Sequence, residues 1–236
     1  MHYIQIGILN KLLFSREARY SDLKVDQKIS NNTFQFHLKK VISQGLVKKN
    51  DNGLYELTTK GKSMAAYLKT EENRFINLRK ISARLFCTRE RDGRSQILVY
   101  TRLKHPFFGG QGFPSGKIAV GENFSIGAIC ELKEETNLEG QPILFAITHY
   151  IVKDADDEHL LEDKLFMDFW FDDPSGDLKT NNEGKFEWVD LENVSEFIKN
   201  PFDSIEAVED EINRLLKFKQ TREIVFNEYT HVSPNF

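Results

Sequence analysis

Cysteine is nearly absent from this chain: only Cys87 and Cys130 occur among 236 residues. Two thiols cannot build a disulfide framework, and the usage is that expected of a reducing, cytoplasmic compartment. Proline and glycine are sparse as well, at six and fourteen residues, and neither a repeat nor a low-complexity stretch interrupts the chain. Extended disorder therefore has no compositional support. No apolar run approaches the length that crosses a bilayer, so no membrane role is expected. The opening MHYIQIGILNKLLFSRE lacks the basic leader, apolar core and small-residue cleavage site of a secretory signal.

What the chain does contain is apolar material, at 40% hydrophobic and 12% aromatic residues with 19 Phe. That suffices to bury the roughly 70% of unfolded surface that domains of this size remove from water. The length suits two modest domains. The net charge of -4 hides a division, because residues 1–70 hold twelve Lys or Arg against five acids, a balance of +7, and the remainder carries -11. The first segment is thus suited to a polyanion and the second to different chemistry.

In the basic segment, Ile4, Ile8, Leu12 and Leu13 recur at helical spacing and predict a helix ending near Phe14. Ser21 is positioned to cap a short second helix through Leu23, and Ser30 a third, with Phe34, Leu38, Val41 and Ile42 as its inward stripe. Gly45 supplies a left-handed stop, and LVKK and LYELT flank Asn52-Gly53, a two-residue hairpin signal. A further helix is expected to end near Leu68. The run HLKKVISQGLVKKNDNGLYELTTKG resembles the winged-helix family of bacterial regulators. That resemblance implies that the third helix enters a major groove of double-stranded DNA, with Asn31, Asn32 and Gln35 able to read base edges. Lys39, Lys40, Lys48 and Lys49 would neutralise phosphates, and a palindromic target would require a homodimer. Docking of another protein is the alternative use of such a unit. The organisation predicted is a winged helix-turn-helix domain at 1–70, a linker at 71–78 and a second domain at 79–236.

In the second domain, the strand-like runs ISARLFCT and QILVYTRL meet at Asp92-Gly93, and the glycine-rich FFGGQGFPSGK follows. From Gly116 the chain reads GKIAVGENFSIGAICELKEETNL, with Phe124, Ile126, Ala128, Ile129 and Leu132 marking the buried side of a helix to about Thr136. Glu131, Glu134 and Glu135 stand at i, i+3 and i+4 on one face, where like charges repel unless a cation is held. Hard oxygen ligands of this kind suit Mg2+ or Mn2+.

Gly116, Glu122, Glu131, Leu132, Glu134, Glu135 and Leu138 fall in register with the signature of the Nudix family, which this segment resembles. The resemblance implies an α/β two-domain protein whose second part is a Nudix α/β/α sandwich with a mixed sheet. It implies metal-dependent hydrolysis of a nucleoside diphosphate linked to another moiety. Glu131 and Glu135 would be metal ligands, Glu134 a further ligand or water-positioning group, and the Ser115 carbonyl a backbone ligand. Gly116, Glu122 and Glu183 are the substrate-side candidates, and Glu158, in the acidic HYIVKDADDEHLLEDK, is the candidate base. Two positions depart from the pattern. Asn137 replaces a helix-stopping glycine, and Cys130 replaces the arginine that holds the neighbouring glutamate in family members, which a thiol cannot do. The second departure keeps another function open: a transcriptional regulator whose Nudix-like domain senses a nucleotide metabolite with little turnover. Trp188 reads as core, Ile205, Val208, Ile212, Leu215 and Leu216 as a final amphipathic helix, and the tail after Tyr229 as loose.

Overall fold

The computed structural model describes residues 1–75 and 78–233. Ile76 and Asn77 of the expected linker, and residues 234–236 of the tail, lie outside the described residues. The chain divides into two compact units, Met1–Leu78 and Arg79–Phe236.

The first unit opens with helix α1 (Tyr3–Leu13). His2 caps it by accepting from the Ile4 N-H at 3.3 Å, while the Gln5 side chain accepts from the His2 N-H at 3.1 Å. Such reciprocal bonds satisfy donors that have no intrahelical partner. α2 (Tyr20–Leu23) is capped at Arg19, not at Ser21: the Asp22 carboxylate accepts from the Arg19 N-H at 3.3 Å and closes the first turn two residues earlier than the hydroxyl would. α3 (Asn31–Ser43) is capped by Ser30, as its hydroxyl predicts. Phe34, Leu38 and Val41 are buried, but Ile42 is half in solvent and His37 takes the inward place, stacked on His2 at 4.1 Å between ring centroids. Strands β1 (Val47–Lys49) and β2 (Tyr55–Leu57) pair antiparallel. Their turn holds three residues, because Asn50 and Leu54 close it and only Gly53 takes positive φ, at 80°. A type I turn followed by a left-handed glycine is the usual three-residue alternative to the two-residue hairpin. α4 (Thr59–Ala65) stops short of Leu68, which enters a short hairpin of β3 (Leu68–Lys69) and β4 (Arg74–Phe75). Ile4, Ile8, Leu9, Leu23, Phe34 and Val41 form the centre of this unit's core.

The second unit is a mixed sheet between helices. Its strands are β5 (Lys80–Arg91), β6 (Arg94–Arg102), β7 (Gln111–Gly112), β8 (Ser115–Lys117), β9 (Ile143–Asp154), β10 (Leu160–Asp172), β11 (Gly184–Asp190) and β12 (Val225–Ser233). The order is β11-β6-β5-β10-β9-β12, with β7 added to β6 and β8 to β5. β10 runs parallel to β5 and β12 parallel to β9, while the other pairs are antiparallel. Alternation divides the long strands between two faces. Ala83, Leu85, Met167, Phe169 and Phe171 meet α5 (Phe124–Thr136), whereas Phe86, Phe145 and Trp170 meet α6 (Val194–Phe197) and α7 (Ile205–Thr221). Trp188 packs partly buried against the α5-side cluster. The segment expected to be loose after Tyr229 continues β12 through Ser233, paired with β9. Among the described residues no helix is long and apolar enough to cross a membrane.

Candidate functional site

Helix α5 is defined at both ends by asparagine. Asn123 accepts from the N-H groups of Ser125 and Ile126, at 3.0 and 3.4 Å, and Asn137 takes the left-handed stop at φ 63°. The buried stripe is Gly127, Ala128, Leu132 and Thr136. Phe124 and Ile126, expected inside, are 42% and 57% exposed. Phe124 stands on the first turn ahead of the sheet contact, and Ile126 lies two residues out of phase with Ala128.

This phase separates the three glutamates. Glu131 and Glu135 are half-buried and line a cleft of about 680 Å³, whereas Glu134 stays on the exposed flank. Glu131 lies directly on the backbone of Gly116: a Cβ at that position would overlap its carboxylate. Glycine is required there by close approach. Burial, then the charges of Glu135, Glu134 and Glu122, push the Glu131 carboxyl up to about 7, opposed by Lys104. The opposing charge is thus the Lys104 ammonium, and Cys130, at the position before Glu131, is exposed.

From the glutamates the cleft runs onto the α7-side face of the sheet. Strand pairing sets Ser115 opposite Arg84, Ser82 opposite Phe166, Lys164 opposite Tyr150, and Tyr150 opposite Tyr229. All of these residues line the cleft. Arg84, only 8% exposed, donates from Nε to Asp168 at 2.8 Å and from Nη2 to the other carboxylate oxygen at 2.9 Å. Its Nη1 bonds Glu211 of α7, and Thr148 donates to Asp168 at 2.6 Å. Glu162, 5% exposed, pairs with Lys80 at 3.1 Å and Lys164 at 2.7 Å. The Tyr150 hydroxyl is buried and has no hydrogen-bond partner among the described residues. Its ring stacks near His231, which pairs with Asp203 at 2.7 Å.

Sequence reasoning missed Arg84, Tyr150 and Glu211, and placed Glu162 only among the carboxylates of the acidic loop. One signal was available: a charged residue alternating with Ala83, Leu85 and Cys87 in a buried strand requires a buried partner.

Three other expected residues sit differently. Glu122 does not line the cleft, since its carboxylate accepts from the Ala119 N-H at 2.9 Å and stiffens the loop before α5. The Glu183 side chain pairs with Lys104, and its carbonyl accepts from the Tyr100 hydroxyl at 3.0 Å. Glu158 is exposed at φ 58° in the β9–β10 turn, outside the residues that line the cleft, because the chain must reverse there. In the same turn Asp154, Asp157 and His159 bring ligand-type atoms within 4.8 Å of one another, and Asp157 is already bonded to His159. Ser115 and Gly116 do line the cleft.

In the first unit, Asn31, Asn32, Gln35, Lys39 and Lys40 are exposed along α3. Lys48 pairs with Glu56 across the hairpin at 2.9 Å, and the Lys49 ammonium lies 5.6 Å from the Tyr55 ring centre.

The described geometry agrees with comparison to known proteins. The profile of the NUDIX domain matches residues 78–210. The NUDIX domain of Shewanella oneidensis NrtR, solved in complex with ADP ribose, superposes with a TM-score of 0.50 at 16% identity, covering 67% of this chain and 99% of that one. A mutator MutT protein from Bacillus halodurans gives a TM-score of 0.50 at 19% identity, covering 66% and 93%. Both likenesses speak for the fold. No curated protein sequence matches.

Proposed function

This chain belongs to the Nudix family through residues 78–210, and from that premise we propose that its second unit hydrolyses a nucleoside diphosphate linked to another moiety, using Mg2+ or Mn2+. Nudix hydrolases generally use divalent metal ions, and the residues present fit one. Glu131 and Glu135 offer hard oxygen ligands in one cleft, Gly116 leaves the space that the Glu131 carboxylate occupies, and burial with like charges raises that carboxyl, a cost that a cation would relieve. The observation that carries the reading is Glu131 seated on the Gly116 backbone beside Glu135.

Glu131, Glu135 and the Ser115 carbonyl would hold the ion, with Glu134 supporting from the solvent side. When bound, the ion supplies neutralisation of the diphosphate oxygens and acidification of water at neutral pH. The chain's own residues do the rest. Glu122 fixes the loop that leads into α5, Asn181 donates to the Glu135 carboxylate at 3.3 Å, and Lys104 brings positive charge to the glutamate end. Release of one nucleoside phosphate from a panel of ADP- and UDP-linked compounds, dependent on Mn2+ and abolished by Glu135→Gln, tests this. Metal-independent cleavage would defeat it.

For the first unit we propose a winged helix-turn-helix domain that binds double-stranded DNA, supported by the exposed polar face of α3, the adjoining hairpin and the +7 charge of residues 1–70. One observation favours a sensing role for the second unit: Cys130, exposed beside Glu131, carries no guanidinium fork to fix that carboxylate. In that reading a bound metabolite alters the DNA affinity of a homodimer and turnover is slow. A mobility shift that changes with ADP-ribose, from protein that forms little product, would support it. An unchanged shift would argue for the hydrolase alone.

A further inference from the structure

The two edges of the mixed sheet are unlike. β11, at one end, sets the exposed charges Lys185 and Glu187 along its seven residues. Charge of that kind is the usual guard of a free edge, since an unpaired strand invites a second one. β12, at the other end, holds nine residues without proline, lysine or arginine, and its exposed positions include Phe226 at 61% and Val232 at 50%. Among the described residues no strand pairs with its outer edge.

One bond decides which backbone groups lie on that edge. The Ala155 N-H donates to the Ser233 carbonyl at 3.2 Å, continuing the parallel pairing of β12 with β9. In a parallel pair, a residue that turns its N-H and C=O to the neighbour alternates with one that turns both away. Ser233 is turned inward, so Phe226, Glu228, Thr230 and Val232 present their N-H and C=O groups outward. That set is symmetric about Tyr229. A second β12 laid antiparallel about a two-fold axis at Tyr229 sets Phe226 opposite the second copy's Val232, and Glu228 opposite the second copy's Thr230. Every outward group then pairs, with two bonds for each facing pair, and no like charges meet. An axis at Glu228 would face that carboxylate with its own copy and leave Val232 outside the ladder. One at Thr230 would leave out Phe226, and one at Asn227 would set Phe226 against Glu228. We infer that β12 is the contact surface for a second copy of this chain, extending the sheet across a two-fold axis at Tyr229. A strand of another protein would meet the backbone groups, but a second copy supplies the mirrored order of side chains by symmetry. The closed pair leaves the guarded β11 edges outermost. Tyr229 also lines the cleft, so the axis runs beside the cleft wall, and the inference does not depend on what the cleft binds.

Sedimentation velocity on the full chain over a concentration series tests it. The mass should rise from the 27.4 kDa of one chain towards twice that value. Thr230→Pro removes an outward N-H while leaving the bonds to β9, and Val232→Lys sets an ammonium against the second copy's Phe226. Each should weaken association at least about tenfold. The melting temperature of Val232→Lys, compared with wild type at a concentration where both are monomeric, should hold within about 2 °C, because that side chain faces solvent. Register is read by mixing Glu228→Cys with Thr230→Cys chains, both also carrying Cys130→Ser. Mild oxidation should join these facing positions into a covalent pair, and should join Phe226→Cys with Thr230→Cys chains far less. A chain that stays monomeric throughout the series, as it would if the edge takes a strand of another protein, would overturn the inference. So would a dimer that both edge variants leave intact, or crosslinking with no preference for the facing positions.

Discussion

Gly116→Ala is the smallest perturbation that reaches the centre of this account. The added methyl would overlap the Oε2 and Cδ atoms of Glu131, and its three nearest neighbours all belong to that side chain, so the strain falls first on that one carboxylate. Side-chain atoms at the end of a glutamate can yield, which keeps the cost to folding small. Yielding is what damages function: the carboxylate must retreat by more than roughly 1 Å, and a displacement of about that size costs on the order of 100-fold in rate. That corresponds to about 2.7 kcal/mol of transition-state stabilisation. We expect kcat/KM for the preferred diphosphate to fall at least about 100-fold and the Mn2+ affinity to weaken in parallel. The melting temperature of metal-free protein should hold within about 2 °C, the change expected for a few tenths of a kcal/mol. The assay pairs phosphate-release kinetics with Mn2+ titration on one preparation. A variant that keeps wild-type turnover and metal affinity would refute the argument, because Glu131 would then have no need of its place over Gly116.

Other outcomes follow from the same geometry. The Glu131 carboxyl is raised to about 7, chiefly by burial and then by Glu135, so Mn2+ affinity should strengthen as pH rises from 5.5 to 8. A carboxyl raised in the folded state stabilises fully below its ordinary value of 4.5 and loses that contribution as pH rises through 7. Metal-free protein should therefore melt lower at pH 8 than at pH 5.5 on this group's account, and saturating Mn2+ should remove the decline; a Glu131→Gln variant with the same pH profile would contradict both. Arg84→Met strands Asp168 and Glu211 in the interior and should cost about 3–5 kcal/mol in urea unfolding of the second unit. A loss below about 1 kcal/mol would mean that water reaches the network. On DNA, Lys49→Ala should lower the slope of log affinity against log salt by about one, and Lys48→Ala by less, because Lys48 is already paired with Glu56. Equal effects would show that the pair opens on binding.

Much of the fold is local chemistry and was readable as such. Ser30 caps α3, Asp92 and Gly93 both take positive φ between β5 and β6, and Asn137 stops α5 in the left-handed region. These features depend on one or two residues and their own backbone. The misreadings arose where tertiary packing decides. His37 takes the inner face of α3 in place of Ile42, where His2, the cap of α1, supplies a stacking partner. Ile126 is apolar but out of phase with the sheet. The signature marked Glu131 and Glu135 by spacing alone, yet spacing could not show that Glu134 faces solvent or that Glu122 closes a loop. The buried Arg84 network was invisible for a different reason: Arg84, Asp168 and Glu211 are joined by strand pairing and a helix that follows much later in the chain.

An anomalous-difference map from a crystal of the full chain soaked with Mn2+ and the α,β-methylene ADP-ribose analogue tests the central claim most directly. The account predicts a peak bounded by the Glu131 and Glu135 carboxylates and the Ser115 carbonyl. A peak only at Asp154, Asp157 and His159, or none at all with the analogue bound, would contradict it.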